Sequence, residues 1–169
     1  MRAFVDTELW SFAKKRPVRR RFKSEEEFNL ALEIHERVVE FFRDVFPSLH
    51  IYISHHQLIE IFHVMAFRGL RVPLHEALAI VERIMEDESI VKVPITADVI
   101  REALKESSET RIHVWDFLCF LPVRRFVDIA YSSDPLFRVI EERYGVEVAN
   151  PVGRWIGPSE AAGSEYEYW

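Results

Sequence analysis

Five short apolar runs punctuate the chain: AFV at 3–5, LHIYI at 49–53, SIVKV at 89–93, VDIAY at 127–131 and VEVA at 146–149. Each pair of neighbouring runs is separated by sequence with helical periodicity or helix-start signals. A strand that must wait for a helix before meeting the next strand pairs with it in parallel, through a right-handed crossover. The expected fold is therefore α/β, a mostly parallel sheet of about five strands with helices covering both faces.

The helix signals are local and specific. After AFV a helical turn runs through Trp10 and Phe12. Ser24 with Glu27 forms a capping box opening a long helix to about Val45, with Phe28, Leu32, Val39 and Phe42 along one side. Ser54 with Gln57 forms a second box, and that helix is expected to run to about Phe67, before Gly69. Pro73 starts a helix ending no later than Asp87; Thr96 caps one expected to reach Lys105. VWDFLCFL reads as a short helix limited by Pro122, and a last helix follows Pro135.

At 169 residues and 49% hydrophobic, with 13 Phe and 4 Trp, the chain suits one domain, taken as 1–150. A tail, 151–169, is rich in Gly, Pro and Ser and is expected to be poorly ordered or docked through Trp155 and Trp169. No apolar run is long enough to span a membrane, and Met1 leads into a strand-like run rather than a signal peptide, so a cytoplasmic location is expected. Cys119, the one cysteine, lies in FLCFL and reads as a buried thiol rather than a nucleophile.

Net charge is −6, yet KKRPVRRRFK at 14–23 holds seven basic side chains and no acid, leaving −13 for the rest. Lys14, Lys15, Arg16, Arg19, Arg20, Arg21 and Lys23 could contact phosphates, with Phe22 available for stacking. A solvated loop or a contact for an acidic protein partner would use the same residues.

Ligands of open parallel sheets gather beyond the carboxyl ends of the strands. Asp6 follows the first strand in FVDTELW, and Asp134 follows the fourth in YSSDPLF. Glu60 is embedded in the apolar helical run of ISHHQLIEIF, facing either solvent or a cleft. Asp116, in HVWDFL, stands at or near a helix start, where an N-cap role is the plain alternative.

Those four acids, in that order and in those settings, resemble the PIN-domain nucleases over residues 2–150. The match rests on a strand-acid-Thr opening, a helical glutamate, an aromatic-Asp helix start, and a closing strand with hydroxyl-x-Asp. The resemblance implies a PIN-like three-layer sandwich and a ribonuclease that uses Mg²⁺ or Mn²⁺. It makes Asp6, Glu60, Asp116 and Asp134 the metal ligands and Ser132 the hydroxyl that positions a water or a carboxylate. Asp128 falls on an acid with a structural role. Hard divalent cations favour such oxygen donors. Glu8 stands where the family usually has a small amide or hydroxyl residue, and either adds a ligand or faces solvent. Phe117, Cys119, Phe120 and Pro122 follow Asp116 where the family tends to small residues, altering the packing beneath the site or shortening the helix.

The same resemblance implies a toxin restrained by a short antitoxin, and a homodimer. Phe28, Phe41, Phe42, Val45 and Phe46 offer apolar surface for such an interface or for a larger core. Two other readings come from the residues themselves. His56, Glu60 and His63, at i, i+4 and i+7, could present a transition-metal site. His55 and His113 read as surface and loop residues. A catalytically weak module that binds RNA or protein without cutting is the alternative from another class.

Overall fold

The structure, a computed structural model, describes residues 1–157. Its elements, in chain order, are β1 (Arg2–Val5), α1 (Thr7–Lys14), α2 (Glu25–Asp44), β2 (His50–Ser54), α3 (His55–Phe67), α4 (Leu74–Glu86), β3 (Val91–Val93), α5 (Ala97–Thr110), α6 (Val114–Phe120), β4 (Ile129–Tyr131), α7 (Phe137–Tyr144) and β5 (Glu147–Ala149). The five strands form one sheet in the order β3-β2-β1-β4-β5, every pairing parallel. Strand order reverses beside β1, where β4 joins it, and that reversal opens a crevice at the carboxyl edge.

Alternation along β1 sets the layers. Ala3 and Val5 join a core with residues of α1, α2, α3 and α4, while Phe4 points the other way into a core with α5, α6 and α7. Phe4 is fully buried between Phe120, edge-on at 5.7 Å, and Phe137, stacked at 5.8 Å. Arg2 and Asp128 fasten the opposite end of the sheet, the carboxylate taking both the Arg2 amide and its guanidinium. Asp128 thus has the structural setting expected of it.

Three expectations change. α5 runs on to Thr110 rather than stopping at Lys105: Thr110 Oγ1 bonds back to the Glu106 carbonyl, Arg143 of α7 holds Glu106 and Glu109, and only Arg111, at φ 62°, turns the chain. On α2 the buried stripe is Ile34, Val38 and Phe41, leaving Val39 exposed. Both capping boxes keep the serine leg, but the return leg goes elsewhere. Glu27 accepts from the Lys23 amide, and Gln57 reaches across to donate to the Val5 carbonyl at 2.7 Å.

Phe42 and Phe46 pack on Trp10, and Phe41 on Tyr131, so much of the aromatic surplus of α2 and its end belongs to the core. Val152 and Ile156 are buried against the α1–α4 face, and Arg138 lies over the Trp155 ring at 4.6 Å. Trp169 falls outside the described residues. No described helix is long and apolar enough to cross a membrane.

Candidate active site

Each acid arrives at the carboxyl edge on a different piece of backbone. Asp6 ends β1 and caps α1, its Oδ1 accepting the Thr7 amide at 2.7 Å; Oδ2 accepts the Ser132 hydroxyl at 2.6 Å. Beyond β4, Asp134 donates its amide to Ser132 Oγ at 3.0 Å and accepts the Leu136 amide at 2.8 Å. Ser132, fully buried, therefore ties the ends of the two central strands together. From α3, Glu60 accepts the Thr7 hydroxyl at 2.6 Å and the Cys119 thiol at 3.0 Å on the same oxygen.

Asp116 is the third residue of α6; the cap is His113, so the plain N-cap alternative does not apply. α6 is seven residues long and ends two residues before Pro122, with Phe117 and Phe120 turned inward into the α5–α7 core. Glu8 is the addition that the sequence left open. Its Oε1 accepts the Ser133 amide at 2.7 Å and the Ser133 hydroxyl at 2.5 Å, so it turns into the cluster and not to solvent. Its position two residues after Asp6, on the first turn of α1, was the available signal.

The five carboxylates share one electrostatic neighbourhood. Burial first, then the Glu8 charge, raises the Asp6 pKa well above the usual carboxylate range, with Ser132 opposing. Burial lifts Glu8 to about 7 against the Ser133 hydroxyl. Asp116 reaches about 8 through burial and then Glu60, Asp134 and Glu8. Asp134 is raised by burial despite the Leu136 amide. Among the described residues, the hydrogen-bond partners of these carboxylates are hydroxyls, a thiol and amides, groups that do not cancel charge. Crowded acids of this kind suit a hard cation. Among the described residues no three His, Cys, Asp or Glu side chains already form a cage for a metal ion, and serine and threonine hydroxyls hold several of the acids. The donors fit the metal; the cage is not preformed.

A pH dependence follows. Asp116 and Glu8 bind protons more tightly folded than unfolded, their pKa values being about 8 and about 7 against ordinary values of 3.8 and 4.5. The native state therefore carries more protons between about pH 4 and 8, and that stabilisation, complete at low pH, is lost as pH rises through 7–8. With EDTA present, Tm is therefore expected to fall from pH 5 to pH 8. Asp116→Asn should flatten the fall, and an unchanged slope in that variant would contradict the assignment.

The other sequence-derived residues separate. His56 stacks on Trp115 and His63 leans on Phe67, so among the described residues they do not complete a shell around Glu60. Burial pushes the Cys119 thiol well above its ordinary pKa, with the Glu60 charge adding to it. It is a buried donor, as read, with a specific acceptor. In the basic segment, Lys15 is buried: its ammonium caps the end of α3 on the carbonyls of Val64 and Arg68, and burial lowers its pKa to about 8. Arg19 pairs with Glu25 at 2.6 Å. Lys14, Arg16, Arg20 and Arg21 line a cavity of about 290 Å³ together with Lys15 and with Arg71, a contributor from the α3–α4 loop that sequence spacing gave no way to find. Lys23 is exposed.

No protein-family model and no curated protein sequence matches the chain. Among solved structures it is similar to VapC20 of Mycobacterium tuberculosis, described as a sarcin-ricin loop cleaving toxin. The TM-score is 0.57 at 19% identity, covering 82% of this chain and 94% of that one. At that identity the likeness speaks for architecture, and together with the 3-2-1-4-5 parallel sheet it shows that this chain has a PIN-like α/β fold.

Proposed function

We propose that the chain is a divalent-metal-dependent endoribonuclease that cleaves single-stranded or structured RNA, and that it is the toxin of a toxin-antitoxin pair. The observation that carries this is the meeting of Asp6, Glu8, Glu60, Asp116 and Asp134 at the strand-order reversal, where burial and neighbouring acids raise the proton affinities of Asp6, Glu8 and Asp116. The fold supports it further, since the similar structure is that of an RNA-cleaving toxin.

Asp6, Glu60, Asp116 and Asp134 would hold Mg²⁺ or Mn²⁺, with Glu8 in the same field. When bound, the ion supplies a water of lowered pKa and neutralises charge on the phosphoryl oxygens. Ser132 orients Asp6 by donating to Oδ2, and Thr7 orients Glu60. Lys14, Arg16, Arg20, Arg21 and Lys23 draw the RNA backbone, while Lys15 and Arg19 shape the segment that carries them. A short antitoxin would restrain the chain by covering the acidic groove.

Metal binding to the folded state alone stabilises it by mass action, about 2.7 kcal/mol at a hundredfold excess over Kd. Mn²⁺ is therefore expected to raise Tm by roughly 5–10 °C at neutral pH, and Asp6→Asn to remove most of that rise. A wild-type melt indifferent to Mn²⁺ and Mg²⁺ would favour the second reading, a PIN-like module that binds RNA or protein without cutting. The absence of a preformed cage among the described residues is what favours that second reading.

A further inference from the structure

Trp115, second residue of α6, remains 49% exposed although a ring of its size has much to gain from burial. One indole face is covered by the imidazole of His56, with centroids 4.8 Å apart and planes 8° from parallel. His113 tilts against the same indole at 6.0 Å. One turn further along each helix, Cys119 of α6 donates to Glu60 of α3 at 3.0 Å.

The two helices thus meet in two rungs, His56 with Trp115 and Glu60 with Cys119, four residues apart on both. The rise of a helix sets the rungs about 6 Å from one another. A flat, half-open aromatic pair therefore stands one turn from a carboxylate of the acidic cluster, and Asp116 directly follows Trp115 in sequence. That offset is comparable with the step from a phosphate to its own base.

We infer that Trp115, backed by His56, is a stacking platform for one unpaired base of a single-stranded RNA, the phosphate of that nucleotide lying at the acidic cluster. This deepens the ribonuclease reading and rests on it. Single-stranded RNA is recognised chiefly by splayed bases on aromatic faces, which tolerate any base because every base has a π-face. The imidazole behind the indole restricts its rotation, so the ring is already oriented when a base arrives. Trp115 is on this account a positioning residue that sets which phosphate reaches the acids.

The test measures binding by fluorescence anisotropy of a short labelled RNA, in an Asp6→Asn background so that turnover does not interfere. Trp115→Ala should weaken binding about tenfold, within the range for loss of one stacked base, while Trp115→Phe keeps most of the affinity. A single abasic residue walked along the RNA should cost about tenfold at one position, and cost nothing there in Trp115→Ala. With Asp6 restored, Trp115→Ala should raise KM more than it lowers kcat. Unchanged affinity in Trp115→Ala, equal sensitivity at every abasic position, or no RNA binding at all would each overturn the platform. Cleavage by the wild type with unchanged affinity in Trp115→Ala sinks the platform and leaves the nuclease. A position-specific abasic effect without cleavage does the reverse.

Discussion

A mixed-sequence, end-labelled single-stranded RNA is expected to be cut in the presence of Mn²⁺ or Mg²⁺, to survive in EDTA, and to be cut about 10²–10³-fold more slowly by Asp6→Asn and by Asp116→Asn. The two substitutions act on different elements of the fold, one at the end of β1 and one in α6. Each leaves a neutral side chain of nearly the same shape, and an asparagine at position 6 can keep the Thr7 amide on its oxygen while its NH2 donates to Ser132 Oγ. Both variants should also be no less stable than wild type at pH 8 without metal, because each relieves repulsion among buried acids. Loss of cutting with unchanged or raised Tm is therefore the signature of a functional cluster. Retained cutting in both variants, from a preparation free of bound inhibitor, would remove the cluster from the chemistry.

Phe4→Ala should destabilise the protein by about 3–5 kcal/mol, a large share of the roughly 5–15 kcal/mol that holds a typical domain together. The ring is fully buried and has aromatic partners on both sides, Phe120 from α6 and Phe137 from α7, so its removal leaves a cavity that two helices cannot easily close. Urea denaturation followed by circular dichroism measures the loss directly. A change below about 1 kcal/mol would mean that β1 does not turn this residue into the α5–α7 core. Because Phe4 lies two residues before Asp6, the same variant links packing to the site: a shifted β1 end misplaces the acid it delivers.

Strands and helix starts were legible because their causes are local. Ser24, Ser54 and Thr96 cap helices through bonds spanning three residues, and β-branched or aromatic runs alternate visibly. The parallel order followed from the alternation of those elements. The extension of α5 to Thr110 was not legible, since it depends on Arg143, which belongs to another helix. Lys15 read as one more surface cation because nothing near it in sequence discloses that the end of α3 lacks donors for its carbonyls. At the candidate site, strand ends exposed Asp6 and Asp134. The inward turn of Glu8 and the thiol on Glu60 required knowing that Ser133 and Cys119 would be neighbours. Distant contacts of that kind leave no periodicity to read.

The hydrogen bond between Ser132 and Asp6 spans 126 residues, and β1 lies between β2 and β4. The middle strand of the sheet is thus synthesised before both of its neighbours, β2 and, much later, β4. At about 5–20 residues per second, a ribosome needs roughly 6–25 s to supply the second wall of the site after the first has emerged. Contacts so distant along the chain also slow folding, because loop closure must precede any gain from pairing. A nascent chain that has not yet reached Ser132 therefore lacks the bond that joins the two central strand ends. Whatever this acidic edge does, its assembly waits on backbone made 126 residues after the first acid.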